Sequence, residues 1–339
     1  MSRSSLLAVT LFSIVSPTPA QTTNADLSPE AQEYLERALS IMESQSLNSA
    51  TIDWALVRAN AYAAAAGARS SRDTYPAIRL ALRALGDNHS FFREPTSAGP
   101  ASTVLSSSYT RPTSHRIDDQ IAYIHVPAFA AANTTAFAAA IQSAIREADA
   151  PAVCGWIVDL RGNGGGNMWP MLQGLRPILG SETPGYFLSP SGSLTPWVID
   201  GTATEQYVLY NPTPPVAVLH DRRTGSSGEA VVIAFRGRAR TRTFGEGTSG
   251  LSTANRSIPL SDGAMMFLTV AVFVDRLLRK YGAVIEPDEP ASPMSPGGIP
   301  VNVTEWLEEQ LSCAVATYWR ASHGHHVGGT STSTTRADR

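Results

Sequence analysis

Two glycine-rich turns carry the residues best suited to chemistry. The first is Asp159-Leu160-Arg161-Gly162-Asn163-Gly164-Gly165-Gly166, which follows an apolar stretch and precedes a helix expected around Trp169. Glycines there let backbone N–H groups converge on one point, and a helix N-terminus adds positive potential, so the loop can hold an anion or an oxyanion. Phosphate binding does not fit. No Gly-Lys-Ser/Thr follows, and Gly162, Gly164 and Gly166 do not reproduce the dinucleotide-binding glycine spacing. The second turn is Thr224-Gly225-Ser226-Ser227-Gly228-Glu229, after an apolar strand ending at His220. A serine at a strand-to-helix turn projects its hydroxyl off the sheet edge, where the helix dipole lowers the cost of negative charge. Its geometry suits nucleophilic attack. Taken singly, the glycine run is also a tight turn and the serine also a helix N-cap. Their pairing is what points to a site.

Both turns fall at the carboxyl ends of strands, where open α/β sheets place their sites. Apolar runs predict strands over Ile121–Val126, Val153–Leu160, Val216–Leu219 and Met265–Val274. Helices are predicted through Phe137, Ile141 and Ile145, through Met171 and Leu175, over Glu229–Phe235, and over Thr304–Tyr318. This strand-turn-helix rhythm predicts a largely parallel sheet buried on both faces. Upstream the pattern is helical. Ser28-Pro29-Glu30 starts a helix with Leu35, Leu39 and Met42 on one face, and Trp54–Ala66 and Pro76–Leu85 continue in the same manner. The expected organisation is therefore a small helical domain at 28–95, a Ser/Thr/Pro-rich linker at 96–115 and a main α/β domain at 116–320.

Composition bounds what such a chain does. With 339 residues, 43% hydrophobic and 16% charged, it can build two cored domains and lacks a disorder signature. A net charge of -3 and a pI near 6.2 supply no basic field, so nucleic acid is not an expected partner. Arg3, the apolar run Leu6–Val15 and the small residues before Gln21 read as a signal peptide over 1–20, cleaved after Ala20. No later stretch predicts a membrane span, which places the mature protein in a periplasm or outside the cell. Cys154 and Cys313 allow one disulfide, or Cys154 stays a buried thiol. No cysteine–histidine cluster predicts zinc, and neither a metal nor a cofactor is expected. Residues 321–339, with His323, His325 and His326, read as a disordered tail.

In order, Asp159–Gly166, Thr224–Glu229, Gly245-Glu246-Gly247-Thr248-Ser249-Gly250 and Pro287-Asp288 resemble the motif series of the tail-specific, or C-terminal processing, proteases, the S41-type serine peptidases. Leu85-Gly86-Asp87-Asn88-His89-Ser90 resembles the segment that closes the family's helical domain. The resemblance implies an α/β fold with a crotonase-like, or ClpP-like, β-β-α superhelix core. It implies Ser226 as nucleophile, an oxyanion hole from Ser227 N–H and one N–H of Gly164-Gly165, and a peptide or unfolded protein as substrate. Two departures stand out. Leu251 occupies the position of the catalytic lysine of the bacterial enzymes and Lys280 is the chain's one lysine, so a Ser–Lys dyad does not fit. The interval from Phe92 to Ile121 is too short for their PDZ domain. The chain is thus similar to the tricorn-like and retinoid-binding-protein-like branch, where histidine is the base, and His89 is the candidate. His220 is a second candidate, while His115 and His125 read as structural. Asp87, Glu229, Glu246 and Asp275 all remain open as a third triad member. Two other readings share the fold: a non-catalytic carrier of apolar ligands, and an esterase or amidase for small substrates.

Overall fold

The computed structural model describes residues 26–95, 108–199, 207–294 and 298–311. Helix α1 (Pro29–Gln45) begins where the sequence signals it. Ser28 Oγ accepts from Ala31 N–H at 3.2 Å, Pro29 opens the first turn, and Tyr34, Leu35, Ala38, Leu39 and Met42 form one buried stripe. With α2 (Trp54–Ala64) and α3 (Tyr75–Ala84) it makes the expected N-terminal helical unit. That unit does not close its core alone. Leu260, Ala264, Met266 and Leu268, from a distant hairpin, fill the same apolar cluster. Tyr34 and Tyr75 hydroxyls both donate to Asp262 near the hairpin's tip, at 2.7 and 2.5 Å.

After α3 come β1 (Phe91–Arg93), β2 (Thr113–Arg116), β3 (Ile121–His125), α4 (Thr134–Ala148), β4 (Gly155–Asp159) and α5 (Met168–Leu179). Then follow β5 (Gly185–Leu188), β6 (Leu194–Pro196), β7 (Val216–His220), α6 (Ser227–Phe235), β8 (Thr241–Gly245), β9 (Thr253–Pro259), β10 (Met265–Asp275) and β11 (Glu289–Pro290). Residues 301–311 form a further helix. The strands build two sheets. One runs β11-β8-β7-β4-β3-β2, parallel except for the antiparallel β2–β3 pair. The other runs β1-β10-β5-β6, with β9 paired to β10. Phe91–Arg93, within the stretch read as helical, is therefore strand. Residues 113–115, read as the end of a linker, belong with Arg116 to β2: polar, largely exposed side chains hid an edge strand that gains its order by pairing with β3.

The parallel sheet is buried on both faces, which is why its strands read as continuous apolar runs. Ala122, Ile124, Trp156, Val158, Val216 and Val218 face α4, α5 and α6. Ile121, Ile157, Ala217 and Leu219 alternate with them and pack on Val303, Trp306, Leu307 and Leu311 of the helix at 301–311. The mixed α/β architecture with an N-terminal helical region accords with the fold expected from sequence. The leader at 1–20, the tail at 321–339 and Cys313 lie outside the described residues. Cys154 is free and partly exposed.

Candidate active site

Strand β7 ends at His220 and α6 starts at Ser227, so Ser226 sits in the turn between them at φ 51 and ψ -116. A non-glycine residue there costs about 1–3 kcal/mol and persists only where its surroundings over-determine it. Glu229 supplies that determination. Its Oε2 accepts Ser226 N–H at 2.7 Å and Leu251 N–H at 2.8 Å, and its Oε1 accepts Thr248 Oγ1–H at 2.5 Å and Gly250 N–H at 3.0 Å. The carboxyl is fully buried. Burial pushes its pKa up, and the four donors recover only part of the rise. The Gly-Glu-x-Thr-x-Gly motif thus has a physical reading: Thr248 and Gly250 complete the shell of the carboxylate that holds the serine turn.

The glycine run is stitched to the same turn. Gly225 N–H donates to Asn163 O at 2.9 Å, Thr224 Oγ1–H to Leu160 O at 2.8 Å, and Ser227 Oγ–H to Gly166 O at 2.8 Å. Gly165 has φ +105, and a Cβ there would lie within 2.9 Å of Gly225 O, Ser226 Cβ and Ser227 N. Only glycine allows this approach. One expectation changes at this position. Gly165 N–H donates to Asn163 Oδ1 at 3.0 Å, so the side-chain amide already takes one of the two N–H groups expected for the oxyanion hole, and Gly164 remains. Of the run, Gly166 lines the cleft beside the serine.

That cleft, about 350 Å³, is walled by Ser226, Ser227, Trp169, Phe187, Thr253 and Asn255. His89, on the loop between α3 and β1, is held against two residues of that wall. Its Nδ1 lies 2.7 Å from Thr253 Oγ1, and its carbonyl accepts Asn255 Nδ2–H at 2.7 Å. Asp87 organises the loop by accepting His89 N–H at 3.0 Å and Ser90 N–H at 2.5 Å. Burial lowers the His89 pKa, offset in part by the Asp87 charge. Ser226 and Ser227 therefore share one cleft, and His89 is bonded to that cleft's wall rather than to Ser226.

The remaining candidates lie elsewhere. His220 is fully buried, with Nδ1 2.7 Å from Glu246 O and Nε2 without a partner. Burial pulls its pKa down to about 4. His115 packs on Tyr123 in the edge strand pair, and His125 ends β3. Lys280 is exposed in the turn after β10. Asp275 serves that turn, accepting from Leu277 N–H, Arg279 and Tyr281. Asp159 binds Arg161 and Tyr123 at the start of the glycine loop. None of Asp87, Glu229, Glu246 and Asp275 bonds to the His89 ring. Thr253 does, and the sequence reading missed it: β9 is a half-exposed polar strand, and the contact spans 164 positions.

A serine at a strained strand-to-helix turn, facing a glycine loop in a cleft, is the arrangement of a serine-nucleophile hydrolase. The chain belongs to peptidase family S41, whose model matches residues 120–291, about half the chain. It is 26% identical over 294 residues to a nisin-resistance protein from Lactococcus lactis subsp. lactis, covering 84% of this chain and 89% of that one. A C-terminal processing peptidase of the chloroplast from Tetradesmus obliquus is 28% identical over 152 residues, 45% of this chain and 31% of that one. Among solved structures, a lipoprotein from Streptococcus agalactiae superposes with a TM-score of 0.72 at 25% identity, over 84% of this chain and 98% of that one. The photosystem II D1 C-terminal processing protease shares the fold, with a TM-score of 0.55 at 16% identity over 80% of this chain and 97% of that one.

Proposed function

We propose that this chain is an exported serine peptidase that cleaves peptides through an acyl-enzyme on Ser226. His89 takes the Ser226 proton, the oxygen attacks the scissile carbonyl, and His89 returns the proton to the leaving amine. Ser227 N–H and one N–H of the glycine loop stabilise the oxyanion. Within that loop Gly164 and Gly166 are the better donors, since Gly165 N–H is engaged by Asn163. The observation that carries the reading is the strained Ser226 turn, whose cost Glu229 offsets, in the wall of a cleft where Thr253 is bonded to His89. A turn kept only for packing has no need of a left-handed serine.

The lipoprotein and nisin-resistance relatives support a location at the cell envelope or outside the cell, and the apolar run at Leu6–Val15 supports export. Among the described residues no helix is long and apolar enough to cross a membrane. The nisin-resistance relative also makes nisin the first substrate to try. The test is digestion of nisin and of a mixed peptide library, read by mass spectrometry. Cleavage by the wild type, lost in both Ser226→Ala and His89→Ala, supports the proposal. Equal cleavage by Ser226→Ala overturns it.

A further inference from the structure

We propose that Thr253 positions the base: its hydroxyl accepts from His89 Nδ1–H, fixes the imidazole plane, and leaves Nε2 bare to take the Ser226 proton. This inference rests on the reading of Ser226 as nucleophile and His89 as base. Serine peptidases usually give this task to a carboxylate. Here the carboxylates near the two residues are otherwise engaged. Asp87 Oδ1 serves the N–H groups of His89 and Ser90 and the Thr269 hydroxyl, and its Oδ2 serves Ser90 Oγ–H. Glu229 is filled by its four donors from the serine turn and residues 248–251. The buried Thr253 hydroxyl, 2.7 Å from Nδ1, is the one side chain bonded to the ring among the described residues.

Chain continuity strengthens the assignment. Gly250 and Leu251 hold Glu229, which holds the Ser226 turn, and two residues later Thr253 holds the His89 ring. Asn255, two further on, holds the His89 carbonyl and is tied through Thr269 to Asp87. One segment, residues 248–255, therefore sets the positions of nucleophile and base together. Thr253 N–H donates to Leu251 O at 2.8 Å, which ties the two halves of the segment to each other.

A hydroxyl is neutral and can also donate, so it supports the imidazolium less than a carboxylate does. The charged group facing the ring is Asp87 on its own loop. Strand β9 presents Thr253 and Asn255, β10 presents Thr269, and none of these titrates; Glu229 faces the serine turn. The acid limb of the rate profile is accordingly expected below the ordinary histidine range.

The experiment is steady-state kinetics from pH 5 to 9 on a peptide that the wild type cleaves, with Thr253→Val, Thr253→Ser and His89→Ala. Thr253→Val is expected to lose at least about tenfold in kcat with KM within about twofold, and Thr253→Ser to recover most of it. In Thr253→Val the acid limb moves to lower pH, because the buried Nδ1–H loses its acceptor. Wild-type turnover with an unmoved limb in Thr253→Val, beside an inactive His89→Ala, overturns the role of Thr253 and leaves the base intact. An active His89→Ala instead removes the base reading itself. A second measurement needs no Thr253 variant. Nitrogen-15 shifts of His89 in the wild type, assigned by difference from His89→Ala, should show the neutral ring protonated at Nδ1. Protonation at Nε2 would overturn the proposal.

Discussion

His220 is expected to make the protein acid-labile in a defined window. Its ring is fully buried, donates from Nδ1 to Glu246 O, and has no partner at Nε2. Adding a proton places a charge in that site, and burial accordingly drops the pKa to about 4. The unfolded chain protonates this residue near the ordinary value of ~6.5, so between these two values it binds a proton that the folded state refuses. Stability present above ~6.5 is therefore lost as pH falls, levelling off below the folded pKa. The gap is worth about 3 kcal/mol, most of it gone by pH ~4.5. His220→Asn keeps a donor for Glu246 O and removes the titration, at a cost near neutrality of about 1–2 kcal/mol for the trimmed ring. Urea unfolding of both proteins at several pH values gives the assay. The wild-type advantage should shrink from pH 7.5 to pH 4.5 and reverse in sign. Parallel stability profiles would refute the burial argument. A pH–rate profile moved by His220→Asn would show that the wrong histidine has been assigned as base.

Two further substitutions probe the scaffold of the site. Glu229→Gln turns an N–H₂ toward one pair of its donors, leaving two of them unsatisfied, so it should cost about 2–5 kcal/mol in unfolding free energy and release the Ser226 turn with loss of turnover. Wild-type stability and activity would remove Glu229 as the anchor. Gly165→Ala places a methyl within 2.9 Å of Ser226 Cβ and Ser227 N and should lower kcat by about a hundredfold, while calorimetry finds a loss of about 1–3 kcal/mol. A silent Gly165→Ala would mean that the loop and the serine turn are not packed as described.

Much of the site was visible in the residues because its motifs are local. The glycine run and the serine turn each fit within eight positions, and the strands before them read as apolar runs because helices cover both faces of their sheet. What stayed hidden depends on pairing. Strand β9 alternates small, polar and charged residues with little burial, so Thr253 and Asn255 gave no sign of meeting His89 across the helical unit. Strand β2 carries no apolar alternation for the same reason. Glu229 was visible as a charge in the turn, but its service to Ser226 emerges only when residues 248–251 fold over it. Asn163 read as one more loop residue, yet its Oδ1 decides which glycine N–H remains available.

The central claim, that Ser226 is an activated nucleophile, is tested most directly by reacting the folded protein with a fluorophosphonate and mapping the adduct by peptide mass spectrometry. A stoichiometric adduct on Ser226, absent after denaturation and strongly slowed in His89→Ala, is the expected result. No adduct on active protein, or one carried by Ser227, would contradict it.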